Sequence, residues 1–218
     1  MDNLIVYKDV KEYIEELTLE TDEKFSEMEA YVKEHYVPVI TKDTRRFLEV
    51  LLSIVNPKKI LEIGCAIGYS ASIFANASNA HITTIELEEE MVKLAKENIK
   101  KIGFEDRITI LHGDAVDVLP TLTEKYDLIF MDAAKGQYTE FFRLCEPLLS
   151  DNGIIISDNI LFKGLVGEKN ISKIDRSRRA IVRGLWKYLS DIMNSDKYKT
   201  SVLSIGDGVA ITKKTGGN

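Results

Sequence analysis

The chain predicts an α/β fold, a mainly parallel seven-stranded sheet covered by helices on both faces and closed by a C-terminal antiparallel hairpin. Three observations predict it. From residue 57 onward, short apolar runs alternate with segments of helical periodicity, the pattern of parallel strands joined by crossover helices. The first run, Ile60-Leu61-Glu62-Ile63, breaks into Gly64-Cys65-Ala66-Ile67-Gly68-Tyr69-Ser70, a strand-to-helix turn tight enough to need glycine. Near the end, Gly206-Asp207-Gly208 separates two apolar runs, and Asp-Gly in that setting signals a hairpin.

Taken in order, two polar amphipathic helices open the chain near residues 10–19 and 22–35. Pro38 interrupts, a third helix runs near 42–55, and Pro57 stops it. Residues 1–56 thus read as a helical cap and 57–218 as a Rossmann-like core. Strands are expected at 59–63, 81–86, 108–112, 128–132 and 153–158, and Met91, Leu94, Ala95 and Ile99 share one face of an intervening helix. Runs at 200–205 and 209–212 form the closing hairpin. The 218 residues are 44% apolar and contain only four prolines and no Gly/Ser/Pro-rich linker, which suits one large domain.

Bulk properties exclude several classes. Met1-Asp2-Asn3-Leu4-Ile5 lacks a basic segment followed by a long apolar run, so no signal peptide is expected. No apolar run approaches the roughly 20 residues of a membrane span. Cys65 and Cys145 form no disulfide framework, so a reduced, cytoplasmic setting is expected. His35, His81 and His112 lie far apart without zinc spacing. The net charge of −6 argues against a general nucleic-acid binder, yet residues 163–187 carry eight basic residues against Glu168 and Asp175. That segment reads either as a solvated face or as a local phosphate-contacting patch.

The glycine turn points the next helix's N-terminus at a ligand, and its G-x-x-x-G spacing differs from the G-x-G-x-x-G of a dinucleotide site. Three acids follow in order. Glu62 ends the first strand. Glu86 ends the second, where an acid can accept both hydroxyls of a ribose. Asp114, in Gly113-Asp114-Ala115, follows the third and could receive an exocyclic amine of adenine. Singly each could be a helix cap or a surface charge; together they point to one adenosine-bearing ligand. Ser70 could bond that ligand's carboxylate or cap the turn.

Two more strand ends carry reaction chemistry: Met131-Asp132-Ala133-Ala134-Lys135 and Ser157-Asp158-Asn159. Neighbouring strands lie about 4.8 Å apart, so Asp132, Asp158 and the Asn159 amide oxygen could reach one cation. Three hard oxygen donors suit Mg²⁺, or Mn²⁺ or Ca²⁺, and leave room for a substrate with two vicinal oxygens. The competing reading makes both aspartates helix caps. Lys135, one turn past Asp132, could act as general base or stabilise an oxyanion. Tyr138 is expected to shape the acceptor pocket.

Leu61-Glu62-Ile63-Gly64, Gly68-Tyr69-Ser70, Glu86 and Gly113-Asp114-Ala115 resemble the S-adenosylmethionine (SAM) site of class I methyltransferases. Within that class the chain is similar, over roughly 37–213, to the metal-dependent catechol and caffeoyl-CoA O-methyltransferases. The resemblance implies SAM held by Ile40, Glu62, Gly64, Ser70, Glu86, Asp114, Ala115 and Asp132. Here Val39, Ile40 and Thr41 match the segment that folds over the methionine end, with Ile40 as the candidate. It implies a metal on Asp132, Asp158 and Asn159, and catalysis by Lys135 with Asp132. Cys65 stands where threonine is common and reads as an inert thiol, with no cation beside it.

The stretches Val37-Pro38-Val39, Asp132 to Tyr138, Asp158 to Val166 and Gly206-Asp207-Gly208 are similar to the bacterial tRNA 5-hydroxyuridine methyltransferases. That branch implies tRNA as partner and 5-methoxyuridine at the wobble position as product. A 5-hydroxyuracil presents O5 and O4 on adjacent carbons, and an anticodon base already lies outside a duplex. Lys173, Arg176, Arg178, Arg179 and Arg183 are then the RNA-contacting candidates. The alternative acceptor is a small catechol-like molecule, with the basic segment as a solvated lid. A cofactor-binding regulator without catalysis is a third reading. The amphipathic early helices and the resemblance imply a homodimer.

Overall fold

A computed structural model of the chain describes residues 6–215; the signal-peptide reading of residues 1–5 lies outside them. The N-terminal part holds helices α1 (Lys8–Leu17), α2 (Ser26–His35) and α3 (Lys42–Val55). The second helix starts later than the sequence suggests. Asp22 instead caps a separate 3-10 turn, Glu23–Phe25, by accepting the Lys24 N–H, and that turn buries Phe25. Tyr36 and Asn56 end α2 and α3 in the left-handed conformation; Asn tolerates it because its short polar side chain bonds locally.

The core alternates β1 (Lys59–Ile63), α4 (Tyr69–Ala77), β2 (His81–Glu86), α5 (Glu89–Lys101), β3 (Ile108–His112), α6 (Ala115–Val118), β4 (Tyr126–Met131), α7 (Tyr138–Cys145) and β5 (Leu149–Ser157). Helix α8 (Arg179–Met193) and strands β6 (Tyr198–Leu203) and β7 (Val209–Lys214) complete it. The seven strands lie in the order β3-β2-β1-β4-β5-β7-β6. Strands β1 to β5 are parallel, and β7 runs antiparallel between β5 and β6. The expected fold is therefore the observed one.

Strand boundaries shift where polar residues mask pairing. β5 begins at Leu149, four residues earlier than expected, and Leu149 pairs Tyr126 across a register break. Ser150-Asp151-Asn152-Gly153 reads as a turn in sequence. Its strand conformation comes from β4, whose Tyr126 carbonyl packs closely against Gly153. At the other ends, Asp132 and Asp158 lie just past β4 and β5 rather than within them.

The side-chain period of two builds two apolar layers. Ile60, Leu128, Phe130 and Ile156 face one layer with Leu48, Leu52 and Phe74. Leu61, Ile129, Met131 and Ile155 face the other with Phe141, Leu185 and Tyr188. Phe74 meets Phe130 edge to face at 5.2 Å, worth about 1 kcal/mol beyond area burial. Strand order reverses between β1 and β4, which opens a crevice at the carboxyl ends of the parallel strands. No helix among the described residues is long and apolar enough to cross a membrane.

Candidate active site

A cavity of about 360 Å³ occupies that crevice, a size suited to a nucleoside-bearing ligand. Of the expected cofactor residues, Ile40, Gly64, Ser70, Glu86, Asp114, Ala115 and Asp132 line it. Lys135 and Asn159 line it as well. Glu62 and Asp158 are not among the lining residues. Leu87, Gln137 and Phe141 line it without having been singled out in the sequence. Leu87 had a signal, its place directly after the strand-end acid Glu86; in the structure it is 55% exposed. Phe141 had none, being one apolar residue among many on α7.

The cofactor turn is built by close approach. Gly64 has φ +100°, and a Cβ there would run into the Asp132 carbonyl. Its N–H donates to Ile85 O, and the Asp132 N–H donates to Ile63 O, both at 3.0 Å. Glycine thus lets the β1 turn lie directly against the end of β4. Glu86 fixes the same turn: Oε2 accepts the Ala66 N–H at 2.7 Å and Oε1 the Glu88 N–H at 2.9 Å. A carboxylate has about four acceptor sites, so Glu86 keeps capacity for two hydroxyls. Asp114 both caps α6, accepting the Val116 N–H at 2.9 Å, and lines the cavity; the two sequence readings of this residue coexist. Acids beside apolar Ile40 and Leu87, with the first turn of α4 at Ser70, fit the ribose, base and carboxylate of SAM.

Glu62 is placed differently from the expectation of direct ligand contact. It is 0% exposed. Oε2 accepts the Thr84 hydroxyl at 2.5 Å, while Oε1 has no hydrogen-bond partner. Burial pushes its carboxyl up to about 7, against the lowering influence of the Ser70 and Thr84 hydroxyls. Its neighbours on β2 and α4 hide it, which a strand-end position in sequence does not reveal. Cys65 is buried, and burial pushes its thiol up, in keeping with an inert side chain.

The reaction side is equally local. Met131 pairs Ser157, and the Asp158 N–H donates to Met131 O at 3.0 Å. Asp132 and Asp158 therefore sit at the ends of adjacent bonded strands. Lys135 Nζ lies 2.8 Å from Asp132 Oδ1. Asp158 is 1% exposed; burial, then the negative charge of Asp132, hold its carboxyl above the ordinary range, partly offset by the Asn159 N–H on Oδ1 at 2.7 Å. A buried carboxyl facing a second negative charge forms a site that a cation would relieve. Among the described residues no group of three or more His, Cys, Asp or Glu could hold a metal, so the expected donor set depends on the amide of cavity-lining Asn159. With two carboxylates, an amide and no sulfur or imidazole, the donor set fits a hard dication.

Tyr138 corrects an expectation. It is buried, and its hydroxyl lies 2.8 Å from Asp158 O and 3.1 Å from Met131 O. It ties β4 to β5 beneath the site rather than shaping an acceptor pocket.

In the basic segment, Lys173, Arg176 and Arg183 are exposed. Lys173 pairs Glu168 at 3.8 Å. Arg179 is committed elsewhere: Nε donates to Ile174 O at 2.8 Å and Nη2 to Ser172 O at 3.0 Å, so it shapes the segment. Arg178, also a candidate, is half-buried just before α8. Helix α8 packs on the Lys135–Gln137 turn, with the Gly184 Cβ position 3.6 Å from Gly136 O. Arg183 consequently stands on the helix that abuts Lys135.

The family model described as O-methyltransferase matches residues 8–215. Catechol O-methyltransferase from Niastella koreensis is 31% identical, covering 76% of this chain and 78% of its own. A Staphylococcus aureus crystal structure provisionally named a caffeoyl-CoA O-methyltransferase is 34% identical with a TM-score of 0.88, covering 95% of this chain and all of that one. The Podospora anserina methyltransferase PaMTH1, with SAH bound, is 26% identical with a TM-score of 0.86, covering 99% and 100%. By cavity, topology and kinship, the chain belongs to the SAM-dependent O-methyltransferase family, of the catechol and caffeoyl-CoA type.

Proposed function

We propose that this chain methylates O5 of 5-hydroxyuridine at the wobble position of tRNA, with a divalent cation held by Asp132, Asp158 and Asn159. The observation that carries the chemistry is the convergence of Asp132, Lys135 and Asn159 on the cavity that Gly64, Glu86 and Asp114 also line. When bound, the cation would grip two vicinal oxygens and acidify one, and SAM would supply the methyl group. The residues do the rest. Glu86 and Asp114 orient the adenosine end, and Ile40 covers the methionine end. Lys135, held at the cavity by its ion pair with Asp132, faces the oxyanion as a cation, and the acceptor's hydroxyl proton leaves to solvent. Gln137 and Phe141 form the acceptor side. Alignment of this kind accounts for on the order of 7 kcal/mol or more of barrier reduction.

The tRNA half of the reading is supported by the contact of α8 with the Lys135 turn, since exposed Arg183 lies on that helix beside Gly184 and exposed Arg176 just before it. A small catechol is the second reading, favoured by the names of the relatives and by the commitment of Arg179 to loop carbonyls. Steady-state methylation of hydroxyuridine-bearing tRNA and of catechol, by wild type and by Arg176→Glu with Arg183→Glu, separates them. The expected result is at least about a tenfold loss on tRNA, a shallower salt dependence and unchanged catechol and SAM kinetics. Full tRNA activity in the double reversal, or catechol activity alone in the wild type, overturns the tRNA assignment.

A further inference from the structure

The loop after β5 has unusual backbone. Asn159, Phe162 and Lys163 have φ of 55°, 47° and 57°, and Gly164 has 81°. Non-glycine residues rarely adopt that region, and three in five positions persist only where surrounding structure imposes them. Here the imposing structure is the turn of the C-terminal hairpin. The Ile160 N–H donates to Gly208 O and the Leu161 N–H to Asp207 O, both at 3.0 Å. The Asp207 carboxylate then accepts the Lys163 N–H at 2.5 Å. Gly208 has φ +89°, and a Cβ there would lie 2.9 Å from Leu161 Cβ, so the turn meets the loop as closely as backbone allows. The same turn is anchored on its other side, because the Gly206 N–H donates to Asp43 Oδ2 at 3.1 Å. Asp43 lies in the first turn of α3, three residues past cavity-lining Ile40.

We infer that Asp207 is a positioning residue: from the hairpin it clamps the Asn159 loop in the left-handed conformation that presents Asn159 to the cavity. The structural reading of Gly206-Asp207-Gly208 as a mere turn leaves its carboxylate unexplained. A turn needs no acid that reaches across 44 residues to a strained loop. The clamp acts through Asn159 and touches no substrate. Its consequence for cation affinity rests on the metal reading given above.

Three substitutions separate geometry from charge. Asp207→Asn keeps the acceptor oxygen and removes the charge. Asp207→Glu keeps the charge and moves the oxygen by one methylene. Asp207→Ala removes both. Hydrogen–deuterium exchange of the 160–163 amides, calorimetric Mn²⁺ affinity and SAM affinity are measured for each. The clamp predicts wild-type behaviour for Asp207→Asn. For Asp207→Glu and Asp207→Ala it predicts faster exchange at 160–163 and Mn²⁺ binding weakened about tenfold or more, with SAM affinity within about twofold of wild type. Asn and Glu are both conservative in size, so the test stands even if Asp207→Ala does not fold. Exchange unchanged in Asp207→Glu, or Asp207→Asn as impaired as Asp207→Ala, overturns the clamp. A wild type that takes up no Mn²⁺ overturns the metal reading and the affinity claim with it, whereas wild-type uptake with unaltered Asp207→Glu uptake overturns the clamp alone.

Discussion

Glu62 carries a buried carboxyl with one unpartnered oxygen, and that arrangement has a pH signature. In the fold it titrates near 7, against an ordinary value of 4.5. Between those values the folded chain binds more protons than the unfolded one, so the stability it contributes is greatest below about pH 4.5 and falls as pH rises toward 7. Glu62→Gln removes this dependence and keeps an acceptor for Thr84. Thermal unfolding followed from pH 5 to 8 should show a flatter profile for the variant, with a gain at pH 8 on the order of 1–3 kcal/mol. A variant that tracks wild type at every pH shows that Glu62 is ionised without cost. At this scale the sequence displays residue types at strand ends well. Gly64, Glu86, Asp114, Asp132 and Lys135 are readable because each follows a recognisable apolar run and all converge on one cavity. The concealment of Glu62 and the commitment of Arg179 depend on partners that no local pattern reveals.

At the scale of elements, the strands whose ends are marked by glycine or acid have the boundaries expected, β1, β2 and β3 among them. β5 does not, because Asp151-Asn152-Gly153 looks like a turn until β4 is beside it. Tyr138 shows the same dependence on tertiary contact, since its partners Met131 and Asp158 are 7 and 20 residues away. Its hydroxyl ties the ends of β4 and β5 together from below. Tyr138→Phe removes only the hydroxyl, leaving the Asp158 carbonyl without that donor. Chemical denaturation should register a loss of about 1–2 kcal/mol with an unchanged denaturant slope. A loss within error means that the carbonyls find other donors and that the tie is dispensable.

The molecule as a whole carries a net charge of −6, although one segment, residues 163–187, is basic. The topological switch point places the cofactor cavity and the paired aspartates at the carboxyl ends of the parallel strands, and the segment's helix α8 meets the turn beside them at Gly136. Under the proposed tRNA reading, the basic segment would draw a polyanion toward the cavity while the acidic remainder repels it elsewhere. Methyl incorporation into hydroxyuridine-bearing tRNA, read by nucleoside mass spectrometry after incubation with the purified chain, SAM and Mg²⁺, with and without EDTA, tests this most directly. The account predicts 5-methoxyuridine formed with Mg²⁺ and abolished by EDTA. Methylation undiminished by EDTA, or none under either condition, contradicts it.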